Sequence, residues 1–90
     1  MKDLTIMDAE KLIDDVKKLG FQFQYYIENI GGTFFINHNS RHLESDDTFL
    51  NFMNNYFKHK LNEGFSLNVG FYYNEDVSLL GDHTKKELIM

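Results

Sequence analysis

The 90-residue chain predicts an α+β domain of two layers, a three- or four-stranded, mostly antiparallel sheet with two helices packed on one face, in the order αββαβ(β). Three observations predict it. Apolar residues recur at helical spacing in two segments and then alternate one-in-two directly after each. Both joints between the two periods read Gly-Phe, at Gly20-Phe21 and Gly64-Phe65. Turn-forming residues at 29–32 divide the first alternating run into a hairpin.

The first helix has Asp8 as N-cap, Met7 and Leu12 as a hydrophobic staple, and Leu12, Ile13, Val16 and Leu19 on its apolar face. Thr5, with Asp8 three residues on, is an alternative start one turn earlier. Gly20 suits a left-handed C-terminal position, and Lys17 and Lys18 lie where the helix dipole favours cations. Asp14 with Lys18 and Lys11 with Asp15 are spaced as exposed i,i+4 pairs.

From Phe21 the period becomes two. Phe21, Phe23, Tyr25 and Ile27 alternate with Gln22, Gln24, Tyr26 and Glu28, Gly31-Gly32 completes a turn, and 33–38 returns with Phe34 and Ile36 inward and Phe35 on the polar face. A polar connector, 39–45, leads to a second helix capped by Ser45 or Asp46 and closed by Gly64. Its core side is read as Phe49, Leu50, Met53, Tyr56, Phe57 and Leu61. Phe65, Leu67, Val69, Phe71 and Tyr73 then alternate with Ser66, Asn68, Gly70 and Tyr72. Asn74, Glu75 and Asp76 form a turn before a short fourth strand at 77–80 and a tail ending Leu88-Ile89-Met90. The recurrence of helix, Gly-Phe and alternating strand suggests a helix–hairpin unit used twice, although any tight helix-to-strand joint favours glycine.

At 42% hydrophobic and 26% charged, the chain is expected to form a single domain over 1–90. Cysteine is absent, which excludes disulfides, thiolate zinc sites and a thiol nucleophile and points to a reducing, cytoplasmic setting. No stretch reads as a secretion signal or approaches the ~20 apolar residues of a membrane span. The formal charge of −5 repels phosphate backbones, so direct nucleic-acid binding is disfavoured and a partner with a basic surface is expected. Abundant Phe, Tyr, Asn and Lys, with a single Ala and no Pro or Trp, is what A/T-rich codons produce, as in low-GC bacteria and their phages.

A right-handed crossover through the second helix places the third strand parallel to the second. The second helix then begins beside the 74–76 turn, and that end of the sheet gathers Glu44, Asp46, Asp47, Glu75 and Asp76, partly offset by Lys17, Lys18 and Arg41. Asp46 and Asp47 also satisfy the helix N-terminus. The outer sheet face is expected to show Gln22, Gln24, Tyr26, Phe35, Asn37, Ser66, Asn68 and Tyr72, without formal charge. Aromatic rings among short polar groups, here Tyr26, Phe35 and Tyr72, are what contact surfaces favour.

Catalytic patterns are missing. No serine sits in a nucleophile elbow, and Gly31-Gly32 lacks the Lys-Ser/Thr of a phosphate-binding loop. His38 and His42 near the acidic end suggest a metal-dependent activity, but without a ligand spacing specific to a metal. The expectation is therefore a small acidic, non-enzymatic protein-binding module without a cofactor. It is of the kind a phage encodes to inhibit a host nucleic-acid-acting protein, anti-CRISPR or anti-restriction in type. The alternative is a homodimer or other homo-oligomer built through the aromatic sheet face or the C-terminal tail.

Overall fold

The computed structural model describes residues 1–77, which form helix α1 (Ile6–Lys18), strands β1 (Tyr25–Ile30) and β2 (Thr33–His38), a 3-10 turn (Leu43–Ser45), helix α2 (Asp47–Asn62) and strand β3 (Val69–Tyr73). The α+β architecture and the order αββαβ are as the periodicities require. Strand order is β1-β2-β3, with β1 antiparallel and β3 parallel to β2, so the sheet is mixed. The proposed fourth strand at 77–80 falls almost wholly outside the described residues. Of it only Val77 is described, fully buried at the end of a turn in which its N–H donates to the Asn74 carbonyl at 3.1 Å.

Helix α1 starts at the earlier of its two candidate positions. Thr5 is the N-cap, and its capping box with Asp8 outcompetes a cap by Asp8 alone because two backbone N–H groups are satisfied reciprocally. Gly20 ends it at φ +107. The hairpin turns on Gly31 and Gly32, both at positive φ, with Ile30 paired to Thr33. That is the two-residue turn whose twist matches its strands, and the Asn29 side chain braces it by accepting the Gly32 N–H at 3.1 Å. Asp46, the second of the two caps considered, starts α2 by accepting from the N–H groups of Thr48 and Phe49.

One apolar cluster joins the layers. Leu12, Ile13 and Val16 of α1 and Phe49 and Met53 of α2 pack with Ile27, Phe34, Ile36, Val69 and Phe71 of the sheet. Ile27 and Ile36 pair across β1 and β2 and are fully buried, a burial of about 1.5–3 kcal/mol per side chain. Leu50 and Leu61, expected on the core side of α2, are instead 41% and 48% exposed. The buried stripe of α2 is narrower than its apolar pattern, since Phe49 and Met53 alone are buried while Phe52, Tyr56 and Phe57 pack at its margins.

The third strand is shorter than its alternation. Leu67 adopts φ +55, a left-handed conformation that ends regular pairing, so β3 begins only at Val69. Ahead of it, Phe65 bridges in parallel to Lys2, with the Lys2 N–H donating to the Gly64 carbonyl and the Ser66 N–H to the Lys2 carbonyl, each at 2.9 Å. Asn68 completes this clamp. Its Oδ1 accepts the Leu4 N–H at 2.7 Å, and its Nδ2 donates to the carbonyls of Leu4 and Gly32 at 3.0 and 2.9 Å.

Candidate functional site

The parallel pairing of β2 with β3 makes both strands finish at the same end of the sheet. Glu44 follows β2, Glu75 and Asp76 follow β3, and Asp46 and Asp47 open α2 at that end. Among the described residues, none of the five lies within ion-pair distance of a lysine or arginine. The expected neutralising residues are engaged elsewhere. Lys17 Nζ lies over the rings of Phe23 and Tyr25 at 5.1 and 5.2 Å, and Lys18 is 4.0 Å from Asp15, not paired with Asp14 as its spacing suggested. Arg41 stacks over the Tyr73 ring at 6.0 Å. Its pKa is raised by a hydrogen bond to Tyr73, then by the charges of Tyr73 and Glu75.

Two of the five carboxylates have structural duties. Asp46 is the α2 cap. Glu44 Oε1 lies 3.0 Å from Nε2 of His38, whose ring is completely buried. The Ser40 backbone N–H donates to His38 Nδ1 at 3.1 Å, so Nδ1 is an acceptor and Nε2 carries the proton given to Glu44. Phe23, Phe71 and Tyr73 surround the imidazole with ring centroids at 5.8, 6.1 and 6.2 Å. With both nitrogens engaged, His38 offers no lone pair to a metal, and His42 lies exposed in the following connector. No group of three His, Asp or Glu among the described residues can hold a metal ion, so the geometry lends the His38–His42 reading no support.

On the outer sheet face, Tyr26, Phe35, Asn37 and Tyr72 stand where alternation puts them, with Tyr26, Asn37 and Tyr72 in one row across the three strands. Phe35 and Tyr72 are in contact, ring centroids 5.1 Å apart. The Tyr72 ring lies over Gly70, where an added Cβ would come within 3.0 Å of it. Gln22, Gln24, Ser66 and Asn68, expected on the same face, belong to segments outside the strands. Ser66 and Asn68 tie down the N-terminal segment, and Gln24 is held by Asn39. Nor is the face uncharged, because Glu28 lies on it and accepts from Asn37 Nδ2 at 2.8 Å. Burial pushes the Tyr26 hydroxyl pKa up, the charge of Glu28 adds to this, a hydrogen bond from Asn74 opposes it, and Asp76 contributes last. The effect of Asp76 connects the acidic end with the aromatic face.

One feature was not anticipated. Between α2 and β3 runs a groove of about 380 Å3 lined by Phe49, Leu50, Met53, Phe57, Val69 and Phe71, with Glu44 at its edge. The unburied apolar residues of α2 are the trace it leaves in the sequence. Leu88-Ile89-Met90, the tail proposed for self-association, lies outside the described residues, and no helix among the described residues is long and apolar enough to cross a membrane. No protein-family model, curated protein or solved structure matches the chain.

Proposed function

We propose that this chain is a non-enzymatic protein-binding module whose acidic end docks on a cationic surface of a partner. The finer reading is a phage-encoded inhibitor that competes with phosphate for a nucleic-acid-acting host protein, of anti-CRISPR or anti-restriction type. The observation that carries it is the convergence of Glu44, Asp46, Asp47, Glu75 and Asp76 on one end of the sheet without a lysine or arginine in ion-pair reach among the described residues. Like charges on a rigid frame create a field that speeds encounter with a basic surface and repels nucleic acid.

The fold supports this division of labour. Asp47, Glu75 and Asp76 are exposed, and no described hydrogen bond uses their carboxylates, so their charge is available to a partner. Tyr26, Phe35 and Tyr72 supply apolar contact area beside them.

Affinity capture from a host lysate at low and high salt tests the proposal, comparing the chain with an Asp47→Asn, Glu75→Gln, Asp76→Asn variant. Basic proteins should be captured at low salt, released at high salt and lost with the variant. Capture indifferent both to salt and to the three substitutions overturns it.

A further inference from the structure

We infer that the partner engages this module by strand addition, an extended segment pairing with the edge of β3 that no strand covers among the described residues, placing apolar side chains in the α2–β3 groove and an arginine or lysine on Glu44. This rests on the protein-binding reading above and specifies its site.

The backbone argument comes from the ladder. The Phe34 N–H donates to the Asn68 carbonyl at 2.9 Å, and the Asn74 N–H to the His38 carbonyl at 2.8 Å. In a parallel pair, peptide groups turn alternately toward and away from the neighbour, so Asn68, Gly70, Tyr72 and Asn74 face β2. The N–H and C=O groups of Val69, Phe71 and Tyr73 therefore face the other way, and among the described residues no strand lies beyond them. An edge that natural sheets would protect carries charge or proline. Val69–Tyr73, VGFYY, has neither, whereas the opposite edge strand β1 carries Glu28.

Side chains supply the second argument. Helix α2 stands off β3 and leaves the apolar groove open alongside this edge. A strand added there directs every second side chain into it, as Val69 and Phe71 are directed. Glu44 sets the charge of the incoming segment. Its carboxylate is held by His38 at 3.0 Å and yet is 39% exposed, so a fixed anion waits at the groove's edge, close to the further carboxylates that begin α2. Charge complementarity makes the occupant cationic at that position, and the apolar floor makes it apolar at the alternate positions before it.

The test uses the full chain and a fluorescent peptide, Arg-Thr-Val-Thr-Val-Thr-Arg, which puts both valines and either arginine on one face whichever way it pairs. Fluorescence anisotropy compares it with its Val→Thr analogue, with a backbone N-methylated form, and with an all-lysine peptide that reads the acidic end alone. The valine peptide should bind roughly tenfold or more tightly than its threonine analogue, and N-methylation on the pairing edge should remove that advantage. Leu50→Gln, an exposed substitution that spares the fold, should weaken the valine peptide and leave the all-lysine peptide unchanged. Glu44→Gln should weaken the valine peptide several-fold.

Equal binding of the valine and threonine peptides, or binding indifferent to N-methylation and Leu50→Gln, overturns strand addition. If the all-lysine peptide still binds, the acidic reading survives that failure, and if it does not, both fall. Binding of the valine peptide only to a Leu79→Ser, Leu80→Ser variant of the full chain would assign the groove to the chain's own residues and also overturn the inference.

Discussion

Replacing Glu44 by alanine isolates what the His38 contact is worth. The imidazole is completely buried and its Nδ1 is committed to the Ser40 N–H, so Nε2–H has Glu44 as its hydrogen-bond partner among the described residues. Glu44→Ala strands that donor inside a ring of Phe23, Phe71 and Tyr73. A buried unsatisfied donor costs about 1–3 kcal/mol, whereas Glu44→Gln, which keeps an acceptor oxygen in place, should cost less than about 1 kcal/mol. At about 4–8 °C per kcal/mol for a domain of this size, the alanine variant should melt roughly 5–20 °C lower. Urea titrations read the same difference as a lower midpoint at unchanged slope. In a His38→Leu background Glu44→Ala should cost almost nothing, because the donor is gone. An alanine variant within about 0.5 kcal/mol of the parent, or alanine and glutamine equally destabilising, would refute the reasoning.

Four other outcomes are expected. Asn68→Ala removes the bonds to Leu4 N–H, Leu4 C=O and Gly32 C=O, and at about 0.5–1.5 kcal/mol each it should cost roughly 2–4 kcal/mol in urea unfolding. Phe71→Ala, at the meeting point of Phe23, Phe49 and His38, should cost about 3–5 kcal/mol by the same measurement. Gly32→Ala, forced to φ +88, should lose about 1–2 kcal/mol, while Gly31→Asn at φ +61 should be near neutral, because asparagine tolerates that conformation. Tyr56 has its pKa pushed up to about 12, chiefly by burial and then by Asp8, Asp15 and Glu63. The unfolded chain ionises near pH 10 and the folded one later, so this contribution is complete below pH 10 and is lost as pH rises toward 12. Tyr56→Phe should therefore soften the alkaline fall in stability, and parallel curves for parent and variant over that window would contradict the assignment.

Local patterns carried most of the fold, and long-range hydrogen bonds account for what they missed. Period-two alternation placed Phe34 and Ile36 inward, and continued by two more residues it also buries His38, which loop-like surroundings had disguised as a candidate ligand. The glycines at 20, 31, 32 and 64 all take positive φ, as turn and cap chemistry demands. Alternation failed between Phe65 and Asn68, where the apolar pattern is that of a strand. Nothing local announces that Leu67 will turn left-handed or that Asn68 will hold a segment 64 residues away. Which end Glu75 and Asp76 follow was legible because a parallel crossover decides it, whereas the groove was not, since it exists only through the distance at which α2 packs from β3.

That parallel pairing ties the proposed function to the fold more closely than any single residue does. Were β3 antiparallel to β2, Glu75 and Asp76 would follow it at the opposite end of the sheet, a five-residue strand or roughly 16 Å from Glu44. The crossover through α2 instead brings both strand ends and a helix N-terminus together. There Asp46 satisfies the helix and Glu44 satisfies His38. A partner's cation that meets Glu44 or Asp46 meets a carboxylate already held in place by the fold, so little side-chain entropy remains to be lost at those two contacts. Binding is then governed by how well its charge and backbone match a preformed edge, the circumstance in which a small module can be selective without enclosing its target.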